Sequence, residues 1–122
     1  AFTPIQVAAS AALDAPDSEI EKIRAIYRAR RDILVSSFAT AGWDIPVPAA
    51  SMFAWAAIPA NFRDQGSVAF AKHLMETADI AVAPGLGFGE HGDGHVRIGL
   101  VENEQRIRQA ARNVKRLLAK AA

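Results

Sequence analysis

The apolar residues of this chain change their spacing along the sequence, between steps of three or four residues and steps of two. After Asn103, a suitable N-cap, they follow steps of three and four as far as Lys120, the period of an amphipathic helix. Just before this, Val96, Ile98 and Leu100 alternate with other residues, the period of a strand with one apolar face. A chain that changes period in this way is predicted to contain both helices and strands.

Three further segments are predicted to be helices. Ala1–Ala15 is rich in alanine and carries a proline in its first turn. A second helix is predicted over about 18–41, because Ser18 and Glu21 have the spacing of a capping box ahead of an apolar stripe. The third begins at Gly66–Ser67, and its inward-facing residues are predicted to be Val68, Ala71, Leu74, Met75 and Ala78.

The strands are predicted in short runs that are rich in branched and aromatic residues and bounded by proline or glycine. They are Trp43–Val47, Ser51–Ile58, Ile80–Ala83 and His95–Val101. With 122 residues the chain is too short for two full-sized domains. We therefore expect one α+β fold with a small sheet of about four strands and helices packed mainly on one face.

Composition excludes several classes of function. The formal net charge of +1 gives no support for a nucleic-acid partner, and no apolar run is long enough to span a bilayer, so no membrane partner is expected. The absence of cysteine excludes disulfides, thiolate metal sites and a cysteine nucleophile. These features predict a soluble, cytoplasmic protein.

Five glycines fall between residues 85 and 94, and two kinds of site could be built from this segment. A phosphate-binding loop requires a helix directly after the glycines, whereas this segment leads into a predicted strand. His91, Asp93 and His95 could ligate a metal, but the loop gives them no preorganised face and no fourth ligand is evident. We therefore expect no metal site here and interpret the segment as a turn shaped to lie beside a site.

Arg97 interrupts an otherwise apolar strand and points away from Val96 and Ile98. A guanidinium in such a position needs a partner. One possibility is an internal carboxylate, Glu90 or Asp93. The other is a planar anion bound in a cleft, which the fork of donors on an arginine suits. The spacing of residues alone leaves both open.

Several ordered segments of this chain resemble the small C-terminal domain of class I/II aminotransferases, which are pyridoxal phosphate enzymes. The resemblance is greatest to the bacterial alanine and diaminopimelate aminotransferases. The segments are Phe2–Ala9, Arg30–Val35, Ala50–Ala56, Val82–Gly89, Gly92–Arg97 and Arg106–Ala110.

The resemblance implies roles for individual residues. Arg97 would bind the substrate α-carboxylate through paired hydrogen bonds, and Phe53 would lie beside the substrate near the cofactor. Thr3 would lie close to the site of the partner subunit in a homodimer. Residues 1–15 would end the large-domain segment, and residues 16–122 would form the small domain.

The implied activity is transfer of an amino group between an alanine-like α-amino acid and a 2-oxo acid by a ping-pong mechanism. Pyridoxal phosphate would be bound mainly by a large domain missing from this chain. None of the four lysines has the serine–lysine setting of the family's catalytic lysine, so the chain alone is expected to be inactive. The alternative is a non-catalytic α+β module that binds a small carboxylate ligand.

Overall fold

The computed structural model describes residues 2–120 and contains four α-helices and three strands within them. Short 3₁₀ turns occupy Ala60–Gln65, Gly85–Phe88 and Glu90–Gly92. In chain order the elements are α1 (Thr3–Leu13), α2 (Asp17–Thr40), β1 (Phe53–Ala57), α3 (Gly66–Ala78), β2 (Ala83–Pro84), β3 (His95–Gly99) and α4 (Glu104–Lys120).

The three strands form one antiparallel sheet in the order β1-β3-β2. Trp55 of β1 and Ala83 of β2 both lie opposite Arg97 of β3, so the arginine occupies the middle of the sheet. The β1–β3 pairing continues at both ends, where Ile58 N–H donates to the Gly94 carbonyl and Leu100 N–H donates to that of Met52. β3 is thereby held along its whole length on the β1 side.

The core lies between one face of the sheet and helices α2, α3 and α4. The alternating residues of β1 and β3 that face the helices are fully or almost fully buried, and each helix contributes a stripe of buried apolar side chains. The principal core residues are Leu34, Phe38, Ala54, Ala56, Phe70, Leu74, Val96, Ile98, Ile107 and Val114. The predicted α+β class with helices on one face is therefore confirmed.

The predicted strand Trp43–Val47 is wrong, and within residues 2–120 the sheet has three strands rather than four. Pro46 cannot donate a hydrogen bond to a strand ladder. The segment is fixed by the buried Trp43, whose Nε1 donates to the Ala57 carbonyl at 2.8 Å and whose ring packs on Phe38 and Phe70. The predicted strand Ile80–Ala83 is also displaced, because pairing begins at Ala83.

Two details of the helix predictions are also wrong. α2 begins at Asp17 after Pro16, so Ser18 lies inside the first turn and no side chain caps the helix. On α3 the predicted Leu74 and Ala78 are buried, but the large Phe70 takes a core place and the rest of the inward stripe is rotated by one position from the prediction. Val68 and Met75 are consequently 55% and 56% exposed. By contrast, the predicted cap of α4 is confirmed, since Asn103 Oδ1 accepts from Arg106 N at 3.0 Å.

Candidate functional site

The sheet face opposite the helices, here called the outer face, carries polar and aromatic side chains. Phe53 and Trp55 reach it from β1, and His95 and Arg97 reach it from β3. Trp55 is 40% exposed, and the other three are half-buried. This face follows from strand alternation, since the neighbours Ala54, Val96 and Ile98 point into the core.

Arg97 is held on the outer face by aromatic rings. Its Cζ lies 4.1 Å from the centroid of the Phe53 ring and 4.4 Å from that of Phe88, both within the range of cation–π contacts. Within residues 2–120 no carboxylate lies within 4.0 Å of the guanidinium, and the guanidinium donates no hydrogen bond. Its donors are therefore available to a ligand. Phe53 and Phe88 are called the aromatic clamp below.

Two aromatic residues of this site, Trp55 and Phe88, were not identified from the sequence as site residues, and His95 was considered only as a metal ligand. Phe88 packs edge-on against Trp55, with ring centroids 5.7 Å apart, and His95 stacks on Trp55 at 5.5 Å. His95 Nδ1 is buried and has no hydrogen-bond partner in the described chain. Two-residue alternation from Phe53 could have pointed to Trp55, and from Arg97 to His95. No periodicity marks Phe88, which comes from the glycine-rich loop.

The loop that carries Phe88 is tied to the start of α3 through one buried hydroxyl. Ser67 is fully buried, and its Oγ donates to Asp93 Oδ1 at 2.8 Å and accepts from Leu86 N at 3.0 Å. Ser67 N also donates to Asp93 Oδ1, at 2.9 Å. These bonds, the backbone one first, hold the pKa of Asp93 below its ordinary value of 3.8.

A second constraint on the loop is backbone packing between Gly85 and Gly92, both buried. A Cβ added to Gly85 would lie 2.0 Å from the Gly92 carbonyl oxygen and 2.5 Å from that of His95. A Cβ on Gly92 would lie 2.1 Å from the Gly85 oxygen. The two ends of the loop therefore approach each other as closely as only glycine permits.

These contacts exclude an internal carboxylate as the partner of Arg97, one of the two possibilities that the sequence left open. Asp93 binds Ser67 rather than Arg97, and no ion pair joins Glu90 to Arg97 in the part of the chain described. Of the three residues considered and set aside as metal ligands, Asp93 accepts hydrogen bonds from Ser67 and His95 stacks on Trp55. No group of three or more metal-ligating side chains occurs among residues 2–120. The loop leads into β3, as predicted, and not into a helix.

The outer face therefore presents hydrogen-bond donors of a kind that suits a planar anion, and it presents no lysine. Each of the four lysines lies at an exposed position on a helix, and none lies on the face that carries Arg97. Thr3 is exposed at the start of α1, a helix with no buried residue. The residues present fit a carboxylate and do not by themselves fit the cofactor.

The family described as "Aminotransferase class I and II" matches this chain over residues 2–114. Among the helices of residues 2–120, none combines the length and the hydropathy that a transmembrane span requires.

Curated relatives match nearly the whole chain. The chain is 62% identical over 121 residues to "Putative aminotransferase AatC" of Rhizobium meliloti. It is 49% identical over 114 residues to "Glutamate-pyruvate aminotransferase AlaC" of Escherichia coli, and 35% identical over 120 residues to "LL-diaminopimelate aminotransferase" of Moorella thermoacetica. The matches cover 99%, 93% and 98% of this chain but only 30%, 28% and 30% of the relatives.

Solved structures share the fold. Substrate-bound BacF from Bacillus subtilis superposes with a TM-score of 0.88 at 33% identity, covering 96% of this chain and 30% of that one. An aminotransferase from Staphylococcus aureus superposes with a TM-score of 0.85 at 29% identity, covering 98% of this chain and 31% of that one. The chain thus spans about 30% of the length of the proteins it matches.

Proposed function

This chain belongs to the class I and II aminotransferases, and on that premise we propose that it forms the carboxylate-binding domain of a longer enzyme. The enzyme transfers an amino group between an alanine-like α-amino acid and a 2-oxo acid. The observation that carries the proposal is Arg97, a half-buried guanidinium whose hydrogen-bond donors have no partner within residues 2–120.

The role of Arg97 follows from what the two substrates share. An amino acid and its 2-oxo acid differ at Cα, but both carry a carboxylate next to it. One guanidinium can therefore bind both substrates through two parallel hydrogen bonds. A ping-pong reaction, in which the two substrates occupy one site in turn, requires such a shared contact.

The energetic contribution of this contact is large enough to matter for turnover. Each charge-assisted hydrogen bond contributes about 1.5 to 3 kcal/mol. Two bonds from one planar group also fix the carboxylate plane, which orients the Cα–H bond toward a base supplied by the rest of the enzyme. Arg97 thus binds and orients the substrate, and it takes no part in proton transfer.

The cofactor belongs to the rest of the enzyme in this proposal. Pyridoxal phosphate, when bound, supplies a ring that takes up the electron pair left when the Cα proton is removed. The lysine that binds it lies outside these 122 residues, because all four lysines here sit on exposed helix positions. What this chain contributes is the carboxylate contact and the apolar surroundings of Phe53 and Phe88.

The preference for alanine-like substrates is supported by the relative named glutamate-pyruvate aminotransferase, at 49% identity. The LL-diaminopimelate aminotransferases are less similar, at 33% to 40% identity. We further propose that residues 1–15 belong with the large domain, and residues 16–122 form the small domain. The absence of any buried residue in α1 supports this division. A homodimer is the proposed assembly, with Thr3 close to the site of the partner subunit.

Substitution of Arg97 by lysine in the full-length enzyme tests the proposal. Lysine retains the charge but loses the fork of donors. We expect kcat/KM to fall roughly 10- to 150-fold for alanine and pyruvate alike, the equivalent of one charge-assisted hydrogen bond. The measurement is steady-state kinetics in both half-reactions. Arg108→Lys is the matched control, because Arg108 is half exposed on α4.

The losses for the amino acid and the 2-oxo acid, compared with each other, show whether Arg97 binds the carboxylate that both share. Equal losses support a contact with the shared carboxylate. A loss for the amino acid alone would place Arg97 near the amino group, and unchanged values for both would remove it from the site. A lower melting temperature with unchanged kinetics would give Arg97 a structural role.

A further inference from the structure

The aromatic clamp restricts how a ligand can reach Arg97. The ring of Phe53 comes from β1 and the ring of Phe88 from the glycine-rich loop, and they lie 4.1 and 4.4 Å from Cζ. At these distances neither ring leaves space for a ligand between itself and the guanidinium. A ligand must therefore approach from the side of the guanidinium that neither ring covers, here called the gap, where the N–H donors remain free in the described chain.

The shape of the gap distinguishes classes of anion. A carboxylate is flat, and its two oxygens can meet two donors of the guanidinium in one plane. A phosphonate or phosphate is tetrahedral, so at least one of its oxygens projects out of that plane toward a ring. Apolar ring carbons give such an oxygen no hydrogen bond, and desolvating it is costly.

Phe88 is the more exposed of the two rings that border this gap. Its side chain is 53% exposed, and its edge-on contact with Trp55 supports the ring from the outer face. Phe53, in contrast, is fixed in β1 opposite Gly99. Removal of the Phe88 ring widens the gap without removing a core side chain.

We propose that Phe88 narrows the approach to Arg97 so that planar carboxylates bind and tetrahedral anions are excluded. Phe88 is then a positioning and specificity-determining residue. The inference rests on the proposed function of Arg97 as the carboxylate-binding group. It adds a discrimination by anion shape that the charge of Arg97 cannot provide.

The test uses the full-length enzyme with its cofactor and two inhibitors that share an ethyl group, propionate and ethylphosphonate, at a pH where both are monoanions. For Phe88→Ala we expect the inhibition constant of propionate to rise about 3- to 10-fold, as the lost cation–π contact loosens the guanidinium. The constant of ethylphosphonate should fall or stay within about 2-fold, because the gap is wider. The preference for the carboxylate therefore shrinks.

Two further variants separate this role from a general loss of structure. Phe88→Tyr keeps the ring and should retain the wild-type preference. Leu86→Ala, in the same turn, leaves intact the backbone N–H that bonds Ser67 and should change neither constant. The rise in melting temperature caused by propionate, compared among all variants, reads out binding without turnover.

The outcomes also distinguish this inference from the proposed function. If Arg97→Lys leaves the propionate constant unchanged, Arg97 is not the carboxylate site and both fail. If Arg97→Lys weakens propionate but Phe88→Ala leaves the ratio of the two constants unchanged, only the role of Phe88 is overturned. A ratio that falls in Phe88→Ala and recovers in Phe88→Tyr supports it.

Discussion

Arg97 is half-buried on the outer face of the sheet, where its guanidinium contacts the rings of Phe53 and Phe88. A cation–π contact contributes about 0.5 to 2 kcal/mol. A guanidinium loses more than this when it is removed from water without hydrogen bonds. The two rings therefore position the group but do not satisfy it, and its free donors are the reason to assign it a ligand.

Asp93 presents the opposite case, an anion whose Oδ1 accepts two hydrogen bonds from Ser67. Its pKa is lowered by the hydrogen bonds from Ser67, so the folded state favours the ionised form. The stability that this preference contributes is present above the ordinary pKa of 3.8 and is lost as the pH falls through the lower folded value.

Asp93→Asn in the full-length protein should accordingly lower the melting temperature at pH 7 by a few degrees, on the order of 2 to 5 °C. The difference from wild type should begin to shrink near the ordinary pKa of 3.8, where the unfolded chain takes up the proton, and should vanish below the lower pKa of the folded state. Thermal unfolding at a series of pH values measures it. Asp44→Asn, which removes an exposed carboxylate, is the control. A pH-independent difference would show that the charge of Asp93 is not what stabilises the fold.

Among the elements, the glycine-rich loop is held by its two ends. Gly85 and Gly92 lie in backbone contact, and Ser67 ties Leu86 and Asp93 to the start of α3. The loop is consequently a defined structure and a suitable support for Phe88.

Gly85→Ala should therefore destabilise the full-length protein by about 1 to 3 kcal/mol, the range for forcing extra atoms into a packed site. The added Cβ meets backbone oxygens, 2.0 Å away in Gly92 and 2.5 Å away in His95, which cannot move aside as a side chain could. Chemical denaturation measures the change. Gly87→Ala is the control within the same loop, because no atom lies within 4 Å of its added Cβ, and it should stay within about 0.5 kcal/mol. Equal stability of the two variants would contradict the packing argument.

The same elements show how far the sequence alone determines the fold. The periodic segments were predicted correctly in type, including α2, β1, β3 and α4. The segment Trp43–Val47 was wrongly predicted because its apolar and aromatic composition is typical of strands. A strand also needs a neighbouring strand to pair with, and the tertiary structure determines whether one is present. For α3, periodicity gave the helix but not its rotation, which the bulk of Phe70 decided.

For the site, as for the fold, the sequence predicted the residues that belong to a local pattern. Arg97 stood out as a charge on an alternating strand, and the family resemblance added Phe53. The long-range contacts escaped detection, because Phe88 reaches Arg97 through loop geometry and Ser67 binds Asp93 across 26 positions. Such contacts leave no local pattern in a sequence.

The distribution of apolar side chains over the whole molecule agrees with a domain of a longer protein. α1 has no buried residue, and its Leu13 is 88% exposed, while Trp55 and Phe88 leave the outer face partly apolar. The matched relatives are about three times longer than the part aligned with this chain, since it covers 28% to 30% of them. We expect the remainder of such a protein to pack against α1 and the outer face and to bury their exposed apolar side chains.

The isolated 122-residue chain should therefore neither transaminate nor bind pyridoxal phosphate covalently, since its lysines lie exposed on helices away from Arg97. The test adds one equivalent of the cofactor to the isolated chain and to the full-length enzyme, reduces both with borohydride, and measures intact mass. We expect an adduct on the full-length enzyme alone, at a lysine outside these 122 residues. Far-ultraviolet circular dichroism first establishes that the isolated chain is folded. A stoichiometric adduct on Lys22, Lys72, Lys115 or Lys120 in both proteins would contradict this expectation, because these 122 residues would then contain the cofactor-binding lysine.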